Sequence, residues 1–546
     1  MLHNKRLWSV YALLLLVALG FRLFIALRLP NDEPGDAIVY SQLAVNVLEQ
    51  HVYSHEAQAP YAPSLIRLPG YPLFLASVYK VFGHGNKTAV RVVQAVVDTL
   101  TCALIALVAF QWAGDPERKH RAALIAFALA AVCPFTAIYV ATLLTEVPTD
   151  FLAVAMVLTV TFAFKTADKG ERRKAVLWWA ASGLIVGLAV LFRPDSGLFA
   201  AAVGLALVCP RLLQRRWKEM FVCGAVFSLA FCLVLVPWTI RNYRVFHMFQ
   251  PLAPAHGEMP GEFVPRGYLL WLRTWLDDER YIAPVLWSMD EHPIRITDFP
   301  DRAFDSKEER DRVAALLDKY NNTTPPPDQE AQNQSSSPDE DSSQDDSSDQ
   351  QNDEDNQDSD DSGDEDQQQN QPQEFDGEMT PEIDAGFQQI GQERKARSAF
   401  RYYILMPLKR AKTLWFDTHS QYYPFNGELL PLSDLDYDIH QQYWLPLFAA
   451  LTAIYSLLGV LGGLLLLLAR NAEARRWVLL ACLLMFIRLG FFATLENPEP
   501  RYTVELFPFL IILAGAGLSR IKLRAKRAEA ESGSPSDAAT ESQPAL

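Results

Sequence analysis

Long apolar segments separated by short polar loops make up most of the first 240 residues and of residues 446–519. A helix needs about 20 apolar residues to cross about 30 Å of hydrocarbon. Ten segments meet this description, at 7–28, 89–112, 122–143, 147–164, 175–192, 196–210, 219–237, 446–469, 477–494 and 503–519. The pattern predicts an all-α polytopic membrane protein of about 10 transmembrane helices with a large external loop. A shorter apolar segment, 70–83, is predicted to be interfacial or re-entrant.

Basic residues are concentrated in alternate loops. If the ten spans are threaded through a bilayer, 22 Lys and Arg residues fall on one side, in the loops around Lys5, Arg118, Lys169, Arg215, Arg475 and Arg524. Cytoplasmic loops carry such an excess of basic residues. We therefore expect a multi-pass plasma (inner) membrane protein with both termini cytoplasmic. The first span is expected to be an uncleaved anchor, because it is long and no small-residue cleavage site follows it.

The predicted spans divide the chain into four parts. These are an N-terminal membrane domain (1–237) with its first outer loop at 29–88, an external domain (238–445), C-terminal transmembrane helices (446–519) and a cytoplasmic tail (520–546). In the external domain, the aromatic segments Tyr268–Trp275 and Tyr402–Trp415 have near-helical spacing and are expected to lie along the membrane surface.

An acidic insertion accounts for the net charge of −15. Residues 328–378 contain 20 Asp and Glu and no Lys or Arg, so the rest of the chain carries +5. A sequence of Asp, Glu, Gln, Asn and Ser cannot bury enough apolar surface to fold. The insertion, 325–378, is therefore predicted to be a disordered part of the external loop.

Two carboxylates stand at predicted helix starts on the external side. Asp36 begins an apparent helix with Tyr40 on the same face, and the helix dipole favours its ionised form. Such a carboxylate can act as a general base on an acceptor hydroxyl. Glu146 follows Thr145 at the start of the fourth span, and it can face Asp36 across a site or help to hold a divalent ion. The alternative for both residues is an ordinary helix start, with Thr145 as a cap before Glu146, and for Asp36 taken alone this is the simpler explanation.

Arginines on this side are few and stand at span ends. They are Arg67 before Pro69-Gly70, Arg193 near Asp195, Arg241 beside Trp238 and Asn242, and Arg501 beside Tyr502. Guanidinium groups bind phosphate in a bidentate manner, and these contacts strengthen as a leaving phosphate gains charge. The alternative is an interfacial belt, the usual role of isolated Trp and Arg residues.

Several other functions lack their signatures. The six cysteines lie in or at the edges of the spans, so neither a disulfide framework nor a Cys-x-x-Cys metal motif is present. Asp434–Asp438 fails the EF-hand pattern, and Gly459–Gly463 is expected to serve helix packing. No nucleotide-binding or nucleic-acid-binding motif is found. The sequence requires no cofactor, and a divalent metal stays possible. Asp98, an intramembrane acid, is expected to pair with an arginine.

The order of these motifs resembles bacterial membrane glycosyltransferases of the C-type superfamily. The nearest groups are relatives of dolichyl-phosphate-mannose protein mannosyltransferases and the lipid A aminoarabinose transferase. The similarity covers about 7–250 and, more weakly, 400–519. It implies a polyprenyl-phosphate sugar donor, inversion, and a site at the external face. In that site Asp36 would be the base and Glu146 its partner. The phosphate clamp would be Arg67, Arg193, Arg241 and Arg501, supported by Tyr40, Asp195, Trp238, Asn242 and Tyr502.

One departure concerns the acceptor. Members of that superfamily often have Asp-Glu at the first acidic site, whereas Asp36 is followed by Ala37, and Asp32 or Glu33 could compensate. The expected function is sugar transfer to a lipid, glycan or protein acceptor. A transporter or flippase of an anionic lipid or solute is the alternative, although the chain shows no internal repeat. A third possibility is a scaffold that binds a partner through the acidic insertion.

Overall fold

The computed structural model describes residues 2–29, 35–213, 217–254, 259–289, 292–323, 375, 377–416 and 445–521. Within these ranges the chain is helical and has no β-strand. The helices are α1 (Leu2–Arg28), α2 (Asp36–Glu49), α3 (Gly70–Phe82), α4 (Lys87–Trp112), α5 (Pro116–Ala131), α6 (Pro134–Ala137), α7 (Glu146–Asp168), α8 (Arg172–Phe192), α9 (Gly197–Leu213), α10 (Trp217–Phe246), α11 (Arg266–Leu272), α12 (Lys307–Asn321), α13 (Pro381–Arg397), α14 (Met406–Phe416), α15 (Leu445–Leu468), α16 (Ala472–Ala493) and α17 (Phe507–Leu518).

Eight helices of the described chain are long and apolar enough to cross a membrane. They are Lys5–Arg28, Lys87–Trp112, Glu146–Asp168, Arg172–Phe192, Trp217–Phe246, Leu447–Leu468, Ala472–Ala493 and Pro500–Leu518. The last of these begins with the 3₁₀ turn Pro500–Leu506. A ninth span is formed if a bent helix pair is counted as one, and a shorter apolar helix, Pro194–Cys209, corresponds to the sixth predicted segment, 196–210. The predicted polytopic α-helical class is confirmed.

Two predicted boundaries were wrong. The segment 122–143 is broken: α5 ends at Ala131, and a second helical piece begins at Pro134 at an angle of 51°. Proline has no N–H to continue the first helix, but it is well accommodated in the first turn of the next. The seventh span continues to Phe246, so Trp238, Arg241 and Asn242 lie on a membrane helix and not in a following loop.

The segment predicted to be interfacial or re-entrant is the 13-residue helix α3. At 1.5 Å per residue it is about 20 Å long, which is less than the hydrocarbon thickness. Its start lies directly on the end of α8, where a Cβ on Gly70 would stand 2.5 Å from the carbonyl oxygen of Leu191. Tyr71, Leu75 and Tyr79 are fully buried. The helix also packs on α2, where the ring of Tyr71 meets that of Tyr40 edge to face.

Glycines allow two membrane helices to cross closely. A Cβ on Gly462 of α15 would lie 2.2 Å from the carbonyl oxygen of Leu513, and one on Gly517 of α17 would lie 2.0 Å from the carbonyl oxygen of Gly462. Such contacts are possible only between backbones without side chains, as in other small-residue helix interfaces. The predicted packing role of the Gly459–Gly463 segment is confirmed.

Replacing Gly462 with alanine is expected to destabilise the bundle. The added methyl group meets backbone atoms that cannot rotate away, and overpacking of this kind costs about 1–3 kcal/mol. Gly463→Ala is a matched control, because its nearest neighbour would be the Leu513 side chain at 3.9 Å. Thermal unfolding in detergent should show a lower midpoint for Gly462→Ala alone. Equal midpoints for the two variants would contradict the close crossing.

A small helical domain outside the spans has its own core. Helices α11, α12 and α13 pack around Tyr268, Trp271, Trp275 and Phe387, which are fully buried. The expectation that Tyr268–Trp275 lies along the membrane surface was therefore wrong. Aromatic residues at helical spacing indicate an apolar face but do not distinguish a lipid partner from a protein partner. Almost all of the acidic insertion, Asp434–Asp438 and the tail after 521 lie outside the described residues.

Asp305 organises the charged side of this domain. Its carboxylate accepts hydrogen bonds from Arg394 at 2.9 Å, Arg397 at 3.0 Å and Arg401 at 2.7 Å. Burial would raise the pKa of the Asp305 carboxyl, but the charge of Arg394 and the bonds from Arg401 and Arg397 outweigh it, so the pKa is below the usual range. A carboxyl whose folded-state pKa is depressed stabilises the fold above its unfolded pKa. This stabilisation is lost as the pH falls through the folded value.

Asp305→Asn is therefore expected to destabilise the helical domain by about 2 kcal/mol at neutral pH, as for a lost charged hydrogen-bond partner. The loss relative to wild type should shrink as the medium is acidified, because wild-type Asp305 then becomes neutral too. Amide hydrogen exchange of α12 and α13 measures this directly. Asp301→Asn is the control, since the Asp301 side chain is fully exposed in a 3.5 Å pair with Arg310. A pH-independent difference would contradict the assignment.

Candidate active site

Asp36 is held between two arginines from opposite ends of the chain. It is the first residue of α2 and follows Gly35, whose φ of +97° favours glycine. Its Oδ1 accepts a hydrogen bond from Arg67 at 2.7 Å, and its Oδ2 accepts one from Arg501 at 3.3 Å. About a fifth of the Asp36 side chain is exposed. The structure therefore brings together three of the site residues predicted from the sequence.

The arginines determine the ionisation of Asp36. Burial alone would raise the pKa of the Asp36 carboxyl, but the positive charges of Arg501 and Arg67 and their hydrogen bonds lower it below its ordinary value. The pKa of Arg67 is raised, because its attraction to Asp36 outweighs the cost of burying the guanidinium. Without a substrate, both partners are thus charged and mutually neutralised.

Tyr40 lies one turn along α2 from Asp36. Its ring meets that of Tyr71 edge to face, with centroids 5.1 Å apart. Burial and the negative charge of Asp36 raise the pKa of the Tyr40 hydroxyl, which also interacts with the charges of Arg67 and Glu146. Tyr40 is therefore a neutral side chain between the two predicted carboxylates, as its assignment to a supporting role requires.

Glu146 belongs to a second, more deeply buried charge cluster. It is the first residue of α7, and its Oε1 accepts a hydrogen bond from Arg193 at 2.6 Å. Its Oε2 is buried and has no hydrogen-bond partner among the described residues. Thr145 occupies the cap position but its side chain makes no capping hydrogen bond, so the capping role considered for it was wrong. Glu146 thus offers one free acceptor atom.

Arg193 shares this cluster with acids from three other elements. It lies 3.3 Å from Asp195 and 3.7 Å from Glu505. Arg488, which is fully buried, pairs with Asp195 at 2.5 Å and with Glu505 at 2.9 Å. The two guanidiniums and the carboxylates therefore alternate, which offsets the cost of removing these charges from water.

Tyr502 connects the two clusters. The guanidinium of Arg501 lies 5.4 Å from the centroid of its ring, and that of Arg193 lies 5.6 Å from the same centroid. The ring stacks on Phe492 at 4.5 Å. Contacts of this type attract a cation to an aromatic face. A continuous path of contacts thus runs from Asp36 through Arg501, Tyr502 and Arg193 to Glu146.

Arg241 occupies a different position. Its guanidinium donates to the carbonyl oxygen of Ser64 at 2.7 Å and to that of Tyr53 at 3.4 Å. It also lies 5.0 Å from the Trp238 ring centroid and 5.4 Å from that of Tyr53. Asn242 continues the arrangement by donating to the carbonyl oxygen of Gln250 at 2.7 Å.

These contacts place Arg241 beneath the first outer loop. Tyr53, which covers Arg241, donates its hydroxyl to the carbonyl oxygen of Arg67 at 3.1 Å. The structure thus joins Arg241, Trp238 and Asn242 to the loop that carries Arg67, and it records no direct contact between Arg241 and Asp36 among the described residues. Its proposed phosphate contact stays a prediction.

Two members of the site were not identified from the sequence. The sequence assigned no role in the site to Arg488 or to Glu505. Glu505 is held by the hydroxyl of Thr149, which donates at 2.9 Å from one turn below Glu146. An acid within an apolar span is a functional signal in itself, and this signal could have found Glu505. The expected partner of Asp98 is Arg22, at 2.6 Å.

Within the part of the chain that the structure describes, no three His, Cys, Asp or Glu side chains converge in a way that could hold a metal ion. The carboxylates nearest to the predicted site, Asp36 and Glu146, each have a guanidinium on at least one oxygen. Asp32 and Glu33, considered above as replacements for a missing acceptor carboxylate, lie outside the described residues.

Comparison with known proteins matches one part of the chain to a described family. Residues 63–239 match the family model described as dolichyl-phosphate-mannose-protein mannosyltransferase. Over 74 residues the chain is 36% identical to the undecaprenyl phosphate-alpha-4-amino-4-deoxy-L-arabinose arabinosyl transferase of Pseudomonas aeruginosa, and 35% identical to that of Pseudomonas paraeruginosa. The match spans only 13% of this chain and 13% of the length of each relative.

Two solved structures are similar at low identity. ArnT from Cupriavidus metallidurans bound to undecaprenyl phosphate has a TM-score of 0.35 and 13% identity, covering 93% of this chain and 78% of that one. The oligosaccharyltransferase AglB from Archaeoglobus fulgidus has a TM-score of 0.45 and 14% identity, covering 94% of this chain and 50% of that one.

The family match includes Arg67, Glu146, Arg193, Asp195 and Trp238, whereas Asp36, Arg241 and Arg501 lie outside it. The matched segment therefore carries Arg67 and the residues Glu146, Arg193 and Asp195 of the second cluster, whereas Asp36 lies on α2 and Arg501 lies in the last span. The resemblance indicated by the motifs is confirmed: over residues 63–239 this chain is similar to the dolichyl-phosphate-mannose-protein mannosyltransferase family.

Proposed function

We propose that this protein is a membrane glycosyltransferase. It transfers a sugar from a polyprenyl-phosphate donor to an acceptor at the external face of the membrane, with inversion at the anomeric carbon. The observation that carries the proposal is Asp36 between Arg67 and Arg501, with hydrogen bonds of 2.7 and 3.3 Å, on a bundle of membrane helices. The family match to residues 63–239 supports the reaction class.

In the proposed mechanism, the donor phosphate first displaces Asp36 from its arginines. Arg67 and Arg501 offer donors of the kind that bind phosphate oxygens, and a phosphate with its negative charge competes with the carboxylate for them. Asp36 then loses the interactions that lower its pKa. Donor binding therefore makes Asp36 a stronger base at the moment when a base is needed.

Transfer then proceeds by a single displacement. The oxygen of the acceptor hydroxyl attacks the anomeric carbon from the face opposite the phosphate, and Asp36 accepts the proton of that hydroxyl. The bond between the anomeric carbon and the phosphate oxygen breaks, and its electron pair leaves with the lipid phosphate. Arg67 and Arg501 stabilise the negative charge that develops there, which is the interaction with the greatest effect on rate.

Glu146 is proposed to orient the sugar or the acceptor. Its Oε2 is buried and has no hydrogen-bond partner among the described residues, and an unsatisfied buried acceptor costs about 1–3 kcal/mol. A hydroxyl of a bound substrate would satisfy it. Arg193 holds the other oxygen at 2.6 Å, so the direction of the free oxygen is fixed before the substrate arrives.

The test is transfer by the purified full-length chain in lipid nanodiscs. Labelled polyprenyl-phosphate sugars are supplied as donors and lipid, glycan and peptide hydroxyls as acceptors. The anomeric configuration of the product, read by NMR, decides between inversion and retention. Acceptors confined to one side of oriented vesicles decide the face. Lack of transfer with every donor, together with movement of lipid or solute across liposomes, would replace the proposal by a transporter.

A further inference from the structure

A row of large apolar side chains is exposed on the segment that follows α13. Phe400, Tyr403, Ile404 and Leu408 are 68%, 56%, 48% and 63% exposed. The spacing of 400, 404 and 408 keeps them on one side of the helical segment formed by the π turn Arg401–Leu405 and α14. We call these four residues the apolar stripe. An exposed apolar patch of this kind marks an interaction surface.

The opposite side of the same segment packs on the membrane bundle. Met406, Arg410 and Leu414 are each 1% exposed, and Leu414 clusters with Phe492 and Ala493 at the end of α16. Trp415 stacks on Phe507 at 5.8 Å, and its indole donates to Ser456 of α15 at 2.8 Å. The segment therefore lies at the end of the bundle that carries Arg501 and Tyr502.

The segment is also attached to the extramembrane helical domain. Arg401 pairs with Asp305 at 2.7 Å, and Lys409 pairs with Asp277 at 3.2 Å. The hydroxyl of Thr413 donates to the carbonyl oxygen of Asp277 at 2.6 Å, and Arg410 donates to that of Leu276 at 2.7 Å. One helical segment thus connects the domain to the spans and leaves Phe400, Ile404 and Leu408 exposed, whereas the Tyr403 ring also lies 5.2 Å from the ammonium group of Lys395.

The lipid-facing surface of the bundle continues onto this stripe. Phe486 and Phe491 on the membrane helix α16 are 67% and 43% exposed, as expected for side chains in contact with lipid. α14 packs on the end of α16 beside them. The exposed Lys412 follows the stripe at the same four-residue spacing, and a lysine at a bilayer surface extends its ammonium group to the lipid head groups. Apolar and basic residues on one helix are typical of interfacial membrane helices.

We infer that residues 400–416 form an interfacial helix whose apolar stripe is immersed in the lipid bilayer and which fixes the extramembrane domain against the membrane beside the site. Lipid is the partner that covers the apolar stripe, because the exposed apolar surface of the membrane helix α16 continues directly onto it. This inference does not depend on the reaction that the protein catalyses.

Spin labels test the lipid contact. Cys209, Cys232 and Cys482 are replaced by serine, and single cysteines at Ile404 or Leu408 are labelled in nanodiscs of neutral and anionic phospholipid. Collision with oxygen, which concentrates in lipid, is compared with collision with a water-soluble nickel chelate. Labels at Leu229, 73% exposed on α10, and at Glu382, whose side chain is 83% exposed on α13, provide the lipid and water references.

Labels at Ile404 and Leu408 are expected to resemble the label at Leu229. A label at either position that resembles the one at Glu382 would overturn the inference, since the stripe would then face water. Protection from both reagents would overturn it as well, because another part of the chain or a second protein would then cover the stripe.

The attachment of the domain is tested separately. In Leu408→Gln the stripe loses apolar area while the contacts of Arg401, Lys409 and Thr413 are retained. Amide hydrogen exchange of α11 should become several-fold faster in nanodiscs, with no change for α7 in the bundle. Gln392→Ala, at an exposed position of α13, is the control and should leave α11 unchanged. Unchanged exchange of α11 in Leu408→Gln would contradict the role of lipid in fixing the domain.

Discussion

Asp36→Asn is expected to lower the rate of sugar transfer by about a hundredfold or more, the effect of removing a general base. The amide keeps the shape of the side chain but cannot accept the proton of the acceptor hydroxyl. Donor binding should be retained or tightened, because the donor phosphate no longer has to compete with a carboxylate for Arg67 and Arg501. The measurement is single-turnover transfer, with the affinity for the lipid phosphate determined in parallel.

Glu49→Gln provides the matched control for this experiment. Glu49 is the last residue of the same helix, and its carboxylate pairs with His84 at the surface. A comparable rate loss in both variants would assign the effect to α2 as a whole. Unaltered transfer by Asp36→Asn would remove Asp36 from the chemistry and make Glu146 the next candidate.

The pH dependence gives an independent test of the proposed displacement of Asp36 by phosphate. In the free enzyme the pKa of Asp36 is below its ordinary value because of Arg501 and Arg67. Activity that requires the carboxylate is present above this pKa and lost below it. Since kcat/KM reports the free enzyme and kcat the donor complex, the acid limb of kcat should lie at higher pH than that of kcat/KM. Coincident limbs would argue against the displacement.

Arg488→Met is expected to cause the largest loss of stability. Arg488 is fully buried and is the partner of Asp195 at 2.5 Å and of Glu505 at 2.9 Å. Removal of one member of a buried ion pair leaves an uncompensated charge and costs about 3–5 kcal/mol. Thermal unfolding in detergent measures the effect, and the addition of Glu505→Gln to the same chain should recover part of it by removing one orphaned carboxylate.

A second arginine of the same helix serves as the control. Arg476 pairs with Asp168 at 2.6 Å, but the Asp168 side chain is 41% exposed. Pairs in contact with solvent contribute about 0–1 kcal/mol. Arg476→Met should therefore shift unfolding only slightly. Equal destabilisation by the two variants would mean that the buried network does not carry the stability assigned to it.

The membrane class and the candidate site residues Asp36, Arg67 and Arg501 could be predicted from local properties of the sequence. Apolar length and the placement of charge are local properties, so the spans, Asp36 at a helix start and the arginines at span ends can be recognised without a structure. Their convergence could not be calculated in this way. The resemblance implied one clamp of Arg67, Arg193, Arg241 and Arg501. In the structure Arg67 and Arg501 contact Asp36, whereas Arg193 contacts Glu146 and Arg241 contacts backbone carbonyls.

The features that were missed depend on tertiary contacts. Glu505 can be placed in the site only through its contacts with Arg488 and Thr149, which are 17 and 356 positions away along the chain. The aromatic spacing of Tyr268–Trp275 is the same whether the segment packs on lipid or on another helix. In the structure it packs on other helices. The break at Pro134 is signalled in the sequence by the proline itself, but the run of apolar residues that continues across it indicates a single span.

The two arginines on Asp36 come from positions 67 and 501, with most of the polypeptide between them. During synthesis, Asp36 and Arg67 leave the ribosome early, whereas Arg501 follows only when the last span is made. A nascent chain that ends before this span has one guanidinium beside Asp36 and half of the proposed phosphate clamp. In the proposed mechanism, the order of translation therefore delays completion of the phosphate clamp until Arg501 has been made, and a product truncated before this residue is expected to transfer no sugar.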